Sequence, residues 1–268
     1  MAKNAYIGVS GVARKVKSKY IGVSGVARKI TKGYMGVGGV ARQFWPGGEP
    51  VGGLPVGSIV SAPVNGVSKN FRVVHQGRPS TAYDASCDGT WLLMEEIYEK
   101  RVWDSTNHDY RNSDIHSYMN NTFINLFPSN IVSAIKEVKL PYRRGTGTSS
   151  YVTSGSDGLP AKVFLLSYTE VGYSGNSTAP IEGAVLSYFN GANDSKRIAY
   201  LSDGTTTYQW LRTPRLNANA DGVFIIHTNG SSSNYGVSYS YGMRPAFVLP
   251  SDALYKVENG VNVLLGYE

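Results

Sequence analysis

"QWLRTP" occupies residues 209–214, and "GMRPAFVL" follows at 242–249. Each phrase sets an arginine inside an apolar run: Arg212 beside Trp210 and Leu211, Arg244 between Met243 and Phe247. A large indole in such a run fills a core. A guanidinium buried there needs carboxylate or carbonyl partners for its fixed fork of donors. Trp210, Arg212, Arg244 and Pro245 therefore read as a structural frame rather than as catalytic groups.

The surrounding sequence predicts short elements. "GSIVSAPVNGVSKNFRVVHQG" reads as strand, turn at Asn65-Gly66, and strand over 70–76. "TWLLMEEIYEKRVW" fits a strand or a helix, with a strand start preferred. "SDIHSYMNNTFINLF" reads as a helix capped by Ser113, with Ile115, Met119, Phe123 and Leu126 on one face and Pro128 ending it. "SNIVSAIKEVKL" is expected to form a second helix stopped by Pro141, "RRGTGTSSYVTSGSDGLPA" a polar loop, and "KVFLLS" (162–167) a buried strand. From residue 198 onward short apolar runs alternate with Ser, Asn, Asp and Gly, and "LYKVENGVNVLL" reads as a hairpin around Asn259-Gly260. Helices early and strands late predict an α+β domain over 57–268.

The start of the chain follows another rule. "YIGVSGVARK" stands at 6–15 and again at 20–29, and "YMGVGGVARQ" at 34–43. Two strand-like halves split by Ser10-Gly11, Ser24-Gly25 or Gly38-Gly39 predict one hairpin per repeat. The three could join as a six-stranded ribbon or as a β-spiral shared by three chains. So short a ribbon is marginal alone and requires a partner surface or sister copies. Residues 1–45 carry nine basic residues and no acidic one, leaving 17 basic against 19 acidic, a net of −2, for the rest. The overall charge of +7 thus belongs to the repeats, and nucleic acid ranks as a partner below a protein lattice. "WPGGEPVGGLPVG" (45–57) is expected to be a Pro/Gly boundary, with 45–56 as linker.

The tandem repeats resemble those at the start of tailed-bacteriophage and prophage structural proteins. That resemblance covers 1–44 and implies attachment to a virion through Tyr6, Arg14, Tyr20, Arg28, Tyr34 and Arg42. The frame "WLRTP … GMRPAF", with the helix ending "MNNTFINLF", resembles a C-type-lectin-like domain of phage, prophage and bacterial surface proteins over 57–250. That domain is distantly similar to the formylglycine-generating enzymes. The resemblance implies an α+β lectin-like fold that displays one face for recognition.

The chemistry points to binding rather than to catalysis. Cys87 is alone, so neither an internal disulfide nor a cysteine cluster can form, and the paired cysteines of the formylglycine-generating enzymes are missing. His75, His108, His116 and His227 are scattered, no metal-binding or P-loop word occurs, and no cofactor is expected. Tyr, Ser, Asn and Gly between the frame words suit an adaptable recognition surface. The candidate ligand residues are Asn217, Asn219, Asn229, Ser232, Asn234, Tyr235 and Tyr239, with Tyr241 in the same stretch. No signal peptide and no apolar run long enough to span a membrane are read, so the protein is expected to be made in a host bacterial cytoplasm and to reside in a virion. The expected role is a capsid decoration, head fibre or tail-tip component. It would assemble with other virion proteins, as an oligomer that includes a trimer among its options, and bind a bacterial-surface glycan or protein. An enzyme acting on cell-wall polymers and a purely structural shell component are the alternatives.

Overall fold

The structure, a computed structural model, describes residues 48–106, 108–145, 152–216 and 222–266, together with the backbone of six strands between Tyr6 and Trp45. Those six form three separate hairpins: β1 (Tyr6–Val9) with β2 (Val12–Lys15), β3 (Tyr20–Val23) with β4 (Val26–Lys29), and β5 (Gly33–Val37) with β6 (Val40–Trp45). The first two share one register, with Ile7 opposite Arg14 and Val9 opposite Val12, then Ile21 opposite Arg28 and Val23 opposite Val26. The third repeats it with Met35 opposite Arg42 and adds a bulge after Gly33. Among the described residues no ladder joins one hairpin to the next, so the continuous six-stranded ribbon is not seen.

The body begins earlier than a linker over 45–56 would allow. β7 (Glu49–Pro50) pairs with the penultimate strand, and Val51 is fully buried. The Val51 and Gly52 amides donate to Ala253 O and Ser251 O, and Gln76 Nε2 donates to Val51 O and Leu54 O. Apolar Val51 and Leu54 inside the Pro/Gly run dock it, so residues 48–56 are part of the folded body.

β8 (Ile59–Val64) and β9 (Val67–Gln76) form the expected hairpin, with Asn65 at φ 49° and Gly66 at φ 75°, the left-handed pair that a two-residue turn demands. β10 (Thr90–Met94) and β11 (Glu99–Val102) follow. α1 (Asp114–Asn121) is capped by the Ser113 hydroxyl, which accepts from the His116 amide at 3.3 Å. α2 (Ser129–Ala134) is shorter than expected because Val138 and Leu140 are buried around exposed Lys139. That two-residue period makes a strand, β12 (Val138–Leu140). The polar loop likewise contains β13 (Tyr142–Arg143), β14 (Val152–Thr153) and β15 (Leu159–Ala161), and the "KVFLLS" strand contracts to β16 (Val163–Phe164). The chain ends with β17 (Gln209–Pro214), β18 (Gly222–Ile226), β19 (Ser232–Gly236), β20 (Ser240–Met243), β21 (Ala246–Leu249), β22 (Leu254–Glu258) and β23 (Val261–Gly266).

The α+β, lectin-like expectation is therefore corrected: among the described residues of the body 37% are strand against 18% helix, and several sheets carry the fold. An eight-stranded sheet runs β16-β21-β10-β9-β8-β23-β22-β7, and a five-stranded sheet runs β11-β20-β17-β18-β19. The larger sheet is covered on both faces. Leu92, Met94, Phe247 and Leu249 join one apolar cluster with Ile115, Met119 and Phe123. Trp91, Leu93, Ala246 and Val248 join another with Phe164, Leu166 and Leu211. Double coverage explains why "TWLLM" and "AFVL" are unbroken apolar runs.

The second frame word is the seam between the sheets. β10 pairs with β21 in the large sheet, and β11 with β20 in the small one, so one antiparallel ribbon passes from sheet to sheet. The bend falls at Arg244-Pro245. Pro245 has no amide to donate, and its carbonyl accepts from Met94 N at 2.9 Å. Arg244 Nε returns to Met94 O at 2.7 Å.

Candidate functional site

The first frame word builds a buried ionic lock. β17 leaves its ladder between Trp210 and Pro214, where the register with β18 shifts. There the Arg212 amide donates to Leu166 O at 3.0 Å. The fully buried Arg212 guanidinium then forks onto Glu170, at 2.6 and 2.7 Å, and reaches Glu182 through Nε at 3.2 Å. It also donates to Leu165 O at 2.9 Å and Pro141 O at 3.2 Å, so all of its nitrogens are engaged. Tyr83 OH donates to Glu170 at 2.8 Å, the Ser167 amide donates to Glu170 at 2.9 Å, and the Thr213 hydroxyl donates to Glu182. Burial works against the charged form of Arg212, but Glu170 and then Glu182 outweigh it and hold its pKa above the ordinary arginine value. Burial, opposed by Arg212, leaves Glu182 above the usual carboxylate range. Every one of these groups is enclosed, so the cluster ties 165–184 to β17 and offers nothing to solvent.

The other frame residues are equally internal. Trp210 is 1% exposed and donates through Nε1 to Arg101 O at 2.8 Å. Burial pulls the Arg244 pKa down to about 10. Cys87 is buried, its thiol donates to Lys139 O at 3.2 Å, and burial pushes its pKa up to about 11. His116, beside the Tyr110 ring at 4.9 Å, is drawn down to about 4 by burial. Ser187 Oγ meets His75 Nδ1 at 2.8 Å, and burial lowers that imidazole's pKa as well.

What opens outward is a cluster of rings on the five-stranded sheet. Tyr208 precedes β17, His227 follows β18, Tyr235 lies on β19, Tyr241 lies on β20, and Tyr239 sits in the turn between those last two strands. Tyr208 meets His227, Tyr241 and Tyr235 at centroid distances of 4.4, 5.1 and 5.4 Å. Tyr239 lies parallel to Tyr241 at 5.7 Å with 2° between their planes. Tyr235 stands edge-on to both, at 78° and 79°. The inner end closes on buried Trp210, 5.0 Å from Tyr241; the outer end is Tyr239, 55% exposed. A hydrogen bond shared with Tyr208 in which the Tyr235 hydroxyl donates, followed by that ring's charge, raises the Tyr235 pKa, and burial raises that of Tyr241.

The predicted ligand residues divide. Tyr235 and Tyr239 belong to the ring cluster. Ser232 and Asn234 lie on the opposite face of β19, where Ser232 Oγ contacts Tyr168 OH at 3.2 Å and Asn234 Oδ1 accepts from Arg215 at 3.3 Å. Alternation along a strand separates them from Tyr235. Asn229 shapes its own turn by accepting from the Ser231 amide and hydroxyl at 3.1 and 2.7 Å. Asn217 and Asn219 lie outside the described residues. The predicted attachment residues lie on hairpin strands, Tyr6 on β1, Arg14 on β2, Tyr20 on β3, Arg28 on β4, Tyr34 on β5 and Arg42 on β6. Tyr208 and His227 escaped the sequence reading. The available signal was their position directly flanking apolar strands, where a half-buried aromatic extends a core to the surface.

Among the described residues no three or more His, Cys, Asp or Glu side chains gather as metal ligands, and no helix is long and apolar enough to cross a membrane. No curated protein and no solved structure matches the chain. A family described as a domain of unknown function matches residues 88–251, a span that holds both frame words, the Arg212, Glu170 and Glu182 of the ionic lock, and the ring cluster. That span exceeds half of the 268 residues, and the chain belongs to this family, DUF6273.

Proposed function

We propose that the chain is a non-catalytic display component of a tailed-phage or prophage virion, made in the host bacterial cytoplasm. Residues 1–44 attach it to other virion proteins, and the β body presents the ring cluster to a bacterial-surface glycan or protein. The observation that carries the binding half is the half-open cluster Tyr208, His227, Tyr235, Tyr239 and Tyr241, which leaves aromatic surface at the solvent boundary while Arg212, Glu170 and Glu182 are sealed inside. Exposed aromatic groups that are amphipathic and stiff favour recognition. The attachment half is supported by three hairpins of matching register at the basic end of the chain. Short hairpins multiply a contact too small to hold singly, and many copies on a particle turn weak single-site binding into avidity.

Deleting residues 1–44 tests the attachment half. The shortened protein is expected to keep cooperative unfolding and to be missing from purified particles. Incorporation at the full-length level would overturn it. So would DNA binding by the full chain that falls steeply with salt and vanishes in the deletion, since that is the signature of a nucleic-acid arm.

A further inference from the structure

We infer that the ring cluster takes a neutral saccharide, stacked on Tyr239 and bound without a bridging cation. This deepens the reading above and rests on it. The rings form a column that rises from the core: buried Trp210, then Tyr241, then Tyr239 parallel to it, with Tyr239 facing solvent. A further flat apolar face is the natural next layer of such a column, and the pyranose ring of a sugar offers one through its axial C–H groups. Tyr235 stands at 78° to Tyr239 and supplies a wall beside that layer. The phenolic hydroxyls of Tyr235 and Tyr239 both donate and accept, which matches the hydroxyl rim of a sugar.

Charge separates a saccharide from the competing occupants. Nucleic acid would stack on the same rings but also needs cations along its backbone. The cation that register sets opposite Tyr241 is Arg101, already held by Glu99 at 2.9 Å and lying 3.4 Å over the Tyr118 ring. The chain beyond residue 45 has a net charge of −2. An uncharged, hydroxyl-rich ligand fits this surface; a polyanion does not.

The test uses the full chain and a panel of neutral gluco-, galacto-, manno- and N-acetylglucosamine oligosaccharides, read by calorimetry with and without EDTA. A parallel arm measures adhesion of the chain to intact cells of a bacterial strain panel. Tyr239→Ala and Tyr239→Phe are compared; at 55% exposure neither should disturb folding, which the thermal melt checks. The expected result is saccharide binding unchanged by EDTA, weakened at least about tenfold by Tyr239→Ala and distinctly less by Tyr239→Phe, which keeps the stacking face and loses only the hydroxyl, with the same saccharide competing for cells. Cell adhesion that Tyr239→Ala abolishes, but that protease treatment of the cells also abolishes and no saccharide competes, would overturn the saccharide and leave the binding face standing. Adhesion unaffected by Tyr239→Ala would overturn both, as would a chain that binds neither cells nor sugars.

Discussion

Replacing Arg212 with Met removes the side chain that pairs with both Glu170 and Glu182, at 2.6 and 3.2 Å, in a pocket where all three groups are fully enclosed. Glu170 would keep the Tyr83 hydroxyl and the Ser167 amide, and Glu182 the Thr213 hydroxyl, but two neighbouring carboxylates would lose their shared cation. Breaking a buried pair from one side costs about 3–5 kcal/mol. For a body of this size that corresponds to a melting temperature lower by roughly 10 °C. The loss should depend on pH in a defined direction. Without Arg212, the burial that already holds the Glu182 carboxyl above the usual carboxylate range goes unopposed, and the neighbouring Glu170 adds to it. The protonated folded form is then favoured in acid, and stability drains away as pH rises through that raised value. The deficit of Arg212→Met is therefore expected to be largest near pH 7 and to shrink towards pH 4. Urea titrations followed by the fluorescence of buried Trp91, Trp103 and Trp210 read it directly. The triple variant Arg212→Met, Glu170→Leu, Glu182→Leu should recover only part of the loss: it removes the buried charges, but it also takes the carboxylate acceptors from the buried Tyr83 hydroxyl, Ser167 amide and Thr213 hydroxyl. A single-variant deficit under about 1 kcal/mol at pH 7, or one that does not shrink in acid, would refute the reasoning.

Other outcomes follow from the same structure. His116 titrates near 4 when folded against 6.5 unfolded, so the unfolded chain takes the proton first; stability is full above about 6.5, falls on the order of 3 kcal/mol as pH drops towards 4, and loses part of that slope in His116→Gln, as acid-range urea melts will show. Gly183→Ala places a methyl group against the Tyr83 hydroxyl at a backbone φ of 91°, and should lower the urea midpoint by displacing Tyr83 from Glu170, with a loss of roughly 2 kcal/mol or more. Asn65→Val forces a β-branched residue to φ 49° in the β8–β9 turn and should cost about 1–2 kcal/mol in the same assay, while Asn65→Gly should be nearly silent.

Turns and apolar runs were readable before any coordinates. Asn65-Gly66 and Asn259-Gly260 announce hairpins because only residues tolerant of positive φ fit there, and Ser113 announces α1 through a single hydroxyl. The class was misread in the region 129–161. The second helix stops at Ala134 because Val138 and Leu140 alternate around Lys139, a strand signal only three residues long that the neighbouring apolar run conceals. Arg212 demanded carboxylates, yet nothing local names Glu170 and Glu182, which stand 42 and 30 positions away. The ligand candidates were chosen by residue type along one stretch. A strand sorts residue types by parity, so Ser232 and Asn234 turn away from Tyr235, while Tyr208 and His227 arrive from the ends of β17 and β18.

The docked start of the body carries a mechanical consequence. If load reaches the body through the N-terminal hairpins, it arrives at β7, an edge strand only two residues long that can peel from β22 one bridge at a time. The next contacts resist differently: Val51 is buried, its amide and that of Gly52 are bonded to Ala253 and Ser251, and the Gln76 amide grips the carbonyls of Val51 and Leu54. These must yield together rather than in sequence. A pulled chain should therefore give way softly over two residues and then stiffen, a short shock absorber ahead of a firm anchor.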